Sequence, residues 1–165
     1  MGLNEIIIGE LKHEANTTRK LLERVPEPAL GWKPHEKSMS LGRLAGHVAE
    51  LPGLIVPIVN QDELDFASGD YKPFTPTSRF ELLEVFDKAL SMAVDALQTA
   101  TDEQLQKTWR LRSGDKVFGE LPRIAMIRGL VLNHIIHHRG QLSVYLRLQD
   151  VPLPSIYGPS ADEPM

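Results

Sequence analysis

The sequence predicts an all-α protein folded as a four-helix bundle, with a short β-hairpin before the last helix. Three observations lead there. Four segments carry apolar residues at helical spacing. Prolines and capping residues punctuate those segments. The chain has 165 residues, 42% hydrophobic and 24% charged, which suits one globular core without disulfide support.

The first helix is expected over residues 3–25, with Ile6, Ile7, Leu11, Ala15, Thr18, Leu21 and Leu22 on one stripe and Pro26 and Pro28 ending it. The second begins after Ser40, a suitable N-cap, and carries Leu41, Leu44, His47, Val48, Leu51 and Leu54. Pro52 removes a helical hydrogen bond and predicts a kink or stop. Residues 61–75 are polar and read as a long loop. The third helix starts at Thr77 or Ser78, with Phe80, Leu83, Phe86, Leu90, Met92, Ala93 and Leu97 inward. Thr101 and Gln104 have capping-box spacing for a short further turn.

Residues 108–121 predict the hairpin, with Arg112-Ser113-Gly114-Asp115 as its polar turn. The last helix runs over residues 122–148, where proline fits the first turn because its missing N–H would be unpaired there. The bundle domain is thus assigned to residues 1–150. Residues 151–165, with Pro152, Pro154, Pro159 and Pro164, form an irregular proline-rich tail.

Composition narrows the function. With 18 basic and 22 acidic residues the net charge is -4, and no basic run offers a face to nucleic-acid phosphates. The absence of cysteine removes thiolate nucleophiles and Cys-ligated metal centres, so a metal would need His, Asp, Glu, backbone or water. The N-terminal segment lacks signal-peptide features, and the apolar stretch at residues 51–60 is too short for a bilayer. A cytoplasmic protein without a membrane partner is expected. There is no His-Glu-x-x-His, no phosphate-binding glycine loop and no Gly-x-Ser-x-Gly elbow.

The informative chemistry lies in histidine. His134 and His138 are four residues apart, so they stack on one helix face, in line with Ile124, Ile127, Val131, Leu142 and Tyr145. His47 sits between Leu44 and Leu51 on the second helix. Three inward imidazoles plus water make a common catalytic zinc set, and imidazole also suits nickel, copper and iron. A hydrogen-bonded core cluster of histidines without metal is the competing explanation. Against it, buried histidines repel when protonated and lose hydration, whereas a metal requires them neutral. His13 and His35 lie in polar surroundings and are expected in solvent. His137 points about 100° away from His138. Glu50, three residues after His47, and Gln141 are the candidate catalytic or supporting residues.

Gly42-Arg43-Leu44-Ala45-Gly46-His47-Val48-Ala49-Glu50, followed by Asn133-His134-Ile135-Ile136-His137-His138-Arg139-Gly140-Gln141-Leu142, resembles the DinB/YfiT-like superfamily over nearly the whole chain. The resemblance implies a four-helix bundle, usually a homodimer, with zinc or nickel on the positions of His47, His134 and His138. Some members of that superfamily are S-transferases using bacillithiol, mycothiol or glutathione, and one relative is a maleylpyruvate isomerase. It therefore implies a metal-dependent enzyme acting on a small molecule, a thiol S-transferase or hydrolase, with a low-molecular-weight thiol as potential cosubstrate. The alternative is a non-catalytic, metal-binding dimeric bundle.

Overall fold

A computed structural model describes residues 2–69 and 71–164. Helix α1 spans Leu3–Leu22 and buries Ile7, Leu11, Ala15, Leu21 and Leu22. Helix α2 spans Leu41–Glu50, with the Ser40 hydroxyl accepting from the Arg43 N–H at 3.1 Å. Pro52 has no N–H to extend the i→i−4 ladder. The chain accordingly tightens into a 3₁₀ turn, Leu51–Leu54, and resumes as α3, Ile55–Asn60. Helix α4 spans Arg79–Thr99, capped by Ser78 at 3.1 Å from the Glu81 N–H. Helix α5, Asp102–Gln106, is the capped turn expected at Thr101.

Strand β1 is Glu63–Asp65, β2 is Thr108–Ser113 and β3 is Lys116–Pro122. They form one sheet in the order β1-β2-β3, with β1 parallel to β2 and β3 antiparallel to it. The β2–β3 turn is carried by Gly114, whose φ of 56° suits a residue without a Cβ. After β3 come α6, Arg123–Met126, a π-helical segment, Ile127–Leu132, and α7, Asn133–Leu148.

The protein is mostly helical with a small three-stranded sheet, and this corrects two expectations. The helices outnumber the four segments that periodicity predicts: the second breaks at Pro52 and a short α5 follows Thr101, both as expected, while the last is interrupted by a π segment that periodicity does not show. The stretch expected as a loop contains β1 and a 3₁₀ turn, Phe66–Ser68. β1 is three residues long and shows no alternation, so only its remote partner β2 reveals it. Arg112 fastens the pair, reaching Glu63 at 2.6 Å and Asp65 at 2.5 Å. Three residues expected inward are exposed: Ile6 (48%), Phe80 (77%) and Met92 (47%).

Helix α4 packs against α1, α2 and α3, while α7 packs against α1 and α2. One apolar cluster gathers Leu51, Ile55, Ala93, Leu97, Trp109, Val131 and Ile135 beside the sheet. A second gathers Leu22, Leu44, Val48, Phe86, Leu142 and Leu146 towards the other end. Among the described residues no helix is long and apolar enough to cross a membrane.

Arg139 is 1% exposed. Its guanidinium meets the Glu14 carboxylate at 2.7 Å and the Thr18 hydroxyl at 3.2 Å. It also donates to the Tyr157 hydroxyl at 2.6 Å, and that hydroxyl donates to Glu14 at 2.7 Å. The cluster ties the tail to α1 and α7. Salt bridges from Arg24 to Glu163 and from Arg147 to Asp162 add two further ties. Residues 151–164 hold no helix or strand, yet they are held in place.

Removing one partner of a buried ion pair leaves an uncompensated charge. Arg139→Ala is expected to cost about 3–5 kcal/mol in urea unfolding. Glu14→Leu with Arg139→Met should recover most of that loss. Equal losses in the single and double variants would show that the ion pair is not the cause.

Candidate metal centre

The centre lies where α2 faces α7. His47 and Glu50 stand one turn apart on α2, and His134 and His138 one turn apart on α7. The π segment decides how α7 presents them. A π turn carries an extra residue and shifts the register of the helix beyond it. The deeply buried stripe runs from Ile127 and Val131 to Ile135, Arg139, Leu142 and Leu146. His134 and His138 therefore sit at the border of that stripe, half-buried, and not in its middle as a regular helix would place them.

The three expected ligands converge. His47 Nε2 is 3.3 Å from His134 Nε2, and His138 Nε2 is 2.9 Å from His134 Nε2. One nitrogen from each ring lies within 4.8 Å of the others. Metal–nitrogen bonds of about 2.0–2.1 Å set ligand nitrogens about 3.3 Å apart in a tetrahedron and about 2.9 Å apart at right angles. The two observed separations match these two edges.

The far nitrogens explain the orientation. His47 Nδ1–H donates to Glu50 Oε1 at 3.1 Å. His134 Nδ1–H donates to the Leu130 carbonyl, inside the π segment, at 3.2 Å. His138 Nδ1–H donates to Gln141 Oε1 at 2.7 Å. Each outer acceptor takes one Nδ1 proton, so neutral rings turn three bare Nε2 lone pairs towards one another. Facing lone pairs repel, and a cation between them removes the repulsion. These three residues could hold a divalent metal ion.

Burial pushes the His138 pKa down to about 4; its bond to Gln141 opposes this, while the charges of His47, His134 and His137 add to it. Burial also lowers His134, with the nearby His47 adding to it. Burial alone would raise Glu50. Its hydrogen bonds from His47 and Tyr71, the Arg43 charge and the Phe74 N–H outweigh that and hold its pKa below the usual carboxylate range. Glu50 is thus an ionised acceptor.

Sequence reasoning named Glu50 and Gln141 but missed the residues that hold Glu50. Arg43 reaches Glu50 Oε1 at 3.0 Å and the Phe74 carbonyl at 3.1 Å. The Tyr71 hydroxyl donates to Glu50 Oε1 at 2.6 Å, and the Phe74 N–H to Oε2 at 3.3 Å. Arg43 was findable, because seven residues is two helical turns. Tyr71 and Phe74 lie on a loop, which carries no spacing signal. Gly46 lets that loop approach α2, since a Cβ there would stand 2.5 Å from the Phe74 carbonyl oxygen. His13, His35 and His137 are exposed, as expected. The His137 ring lies 4.8 Å from that of His138 but is not one of the converging three.

A cleft of about 830 Å³ opens beside His47 and His134. Its walls are largely aliphatic, between the α2–α3 region and the sheet, with the Trp109 ring at one side. The Trp109 indole N–H is buried and has no acceptor among the described residues.

Two outcomes are expected. Gly46→Ala should displace the loop over α2 and cost about 1–3 kcal/mol by overpacking; an unchanged urea midpoint would show that the loop yields freely. In metal-free protein, folded His134 and His138 bind fewer protons than their unfolded forms below pH 6.5. Stability must therefore fall as pH drops from 6.5 towards about 4. Urea midpoints across that window should fall less steeply in a His134→Gln, His138→Gln variant; parallel slopes would reject these histidines as the source.

The DinB family model matches residues 4–164. The Bacillus subtilis (strain 168) protein YrdA is 29% identical over 151 residues, covering 91% of this chain and 85% of the relative. YjoA of the same organism is 30% identical over 152 residues, covering 87% and 88%. A crystal structure of a DinB-like protein from Bacillus cereus ATCC 10987 superposes with a TM-score of 0.67 at 25% identity, covering 88% of this chain and 92% of that one. The crystal structure of YjoA superposes with a TM-score of 0.69 at 23% identity, covering 91% and 96%, a likeness of fold. The chain belongs to the DinB family.

Proposed function

We propose that this protein is a metal-dependent enzyme acting on a small molecule bound in the cleft beside His47 and His134. His47, His134 and His138 hold one divalent ion, zinc or nickel. The carrying observation is the convergence of one ring nitrogen from each of His47, His134 and His138 beside a largely aliphatic cleft that His47 and His134 line. Three protein ligands leave a coordination position for substrate, the arrangement of catalytic and not structural sites. When bound, the ion supplies Lewis acidity.

The chain's own residues supply the rest. Glu50 keeps the His47 proton on Nδ1 and so keeps Nε2 bare; Gln141 does the same for His138. Tyr71 lines the cleft, and its pKa is raised by burial and then by Glu50. Its phenol therefore remains protonated at neutral pH, as a hydrogen-bond donor. The aliphatic part of the wall offers the substrate an apolar surface. A hydrolytic step or an S-transfer from a low-molecular-weight thiol fits this equipment, and the homodimer implied by the family resemblance is the proposed assembly. The competing reading is a metal-binding dimer without catalysis.

Elemental analysis of tag-free protein tests the metal. About one equivalent is expected in the parent and none in His134→Ala; a parent that stays empty after incubation with zinc or nickel sinks the proposal. Glu50→Ala should weaken metal affinity or turnover about 10–100-fold, the usual cost of losing a residue that orients a ligand. Full hydrolase or thiol-transfer activity in His47→Ala would assign the chemistry elsewhere, whereas bound metal with no turnover in either screen favours the non-catalytic dimer.

A further inference from the structure

We infer that Phe66 and Tyr71 determine the specificity of the cleft, and that its substrate carries a planar, conjugated ring close to the reacting group; this rests on the proposal that the cleft is the substrate site. Both residues line the cleft. Both are large aromatics left partly in water, Phe66 43% and Tyr71 50% exposed. Their rings meet edge to face, with centroids 6.3 Å apart. A single surface aromatic needs no explanation, but two that pair on the rim of one cleft form a recognition surface. A third ring laid against such a pair gains the same offset or edge-to-face contacts.

Both rings are fixed in place. The Asp65 carboxylate accepts from the Ala67 N–H at 2.9 Å and the Gly114 N–H at 3.0 Å, and Arg112 pairs with it. The Ser68 hydroxyl donates to the Asp65 carbonyl at 3.0 Å. These bonds pin the 3₁₀ turn that carries Phe66 to the sheet. Tyr71 is held at its tip, where its hydroxyl donates to Glu50 and accepts from Arg43 at 3.0 Å. A side chain already fixed loses little further freedom when it binds. The same tie places the ring near the metal centre, because Glu50 Oε1 also accepts from His47. A substrate ring resting on Tyr71 therefore carries its reacting group directly or on a short side chain. The carboxylates that line the cleft, Glu50, Glu63 and Asp65, are paired with Arg43, Arg110 and Arg112. The exposed rings, and not an unbalanced charge, then set what the rim prefers.

A matched pair of probes tests this: 2-naphthamide, which is flat, and decahydro-2-naphthamide, the same skeleton and head group with puckered rings. Calorimetric titration of the full chain should show the flat probe binding about fivefold tighter, the size of effect one aromatic pair gives beyond its area. Phe66→Leu and Tyr71→Leu should each erase most of that preference, with helical circular dichroism unchanged. Tyr71→Phe keeps the ring and loses only the hydroxyl, so it should keep the preference. Phe66→Leu and Tyr71→Leu are independent, so either one suffices if the other does not fold. Equal or weaker binding of the flat probe to the parent overturns the inference, as does failure of the parent to bind either probe. A preference unaltered in a folded Leu variant overturns it too, and so does a loss in Tyr71→Phe as large as in Tyr71→Leu. The probes are neutral, and the titration is repeated on chelator-stripped protein and read beside the metal analysis. Flat preference in a chain that never takes metal rejects the enzyme proposal alone; no preference in a chain that holds metal rejects this inference alone.

Discussion

The centre depends on one constraint: three half-buried imidazoles whose outer nitrogens are all committed. Glu50, the Leu130 carbonyl and Gln141 each accept an Nδ1 proton. That single requirement turns three lone pairs inward at 2.9 and 3.3 Å. A buried group left unpaired costs free energy, so each acceptor has to be held as firmly as the ring it serves. Much of the nearby architecture serves that need.

Glu50 shows how far the support extends. Its two oxygens collect His47, Arg43, Tyr71 and the Phe74 N–H. Those contacts need the 71–76 loop to lie directly on α2, and that closeness needs a residue without a Cβ at position 46. On the other side, the π segment does two things at once. It rotates α7 so that its histidines face α2 from the edge of the buried stripe, and it presents the Leu130 carbonyl to His134. A π segment beside a candidate centre is where such local irregularity tends to occur.

Arg139 adjoins His138 in sequence but looks the opposite way, into α1 and the tail. One turn of α7 therefore serves two clusters: imidazoles towards α2 and a guanidinium towards Glu14 and Tyr157. The ion pair anchors α7 against α1 from behind while the histidines work in front. The cleft completes the arrangement because the break at Pro52 redirects the chain into α3, making a wall opposite the sheet.

The sequence alone determined the helical character and the histidine set, because these rest on local spacing, and the two histidine-bearing motifs carried the family resemblance. His134 and His138 are neighbours on any helix, and Pro52, Ser40 and Ser78 act within a turn of themselves. The β2–β3 hairpin was legible for the same reason. Tertiary structure decided everything that depends on pairing across the chain. β1 exists only through β2, and Glu14 is buried only because Arg139 and Tyr157 meet it. Tyr71 reaches Glu50 only because a loop folds over Gly46. The π segment lies between the two regimes. It is local in position, yet only the packing of α7 against α1 and α2 reveals which face the extra residue turns inward. Periodicity assumes a constant turn, and here the turn changes one residue before the first histidine of the pair.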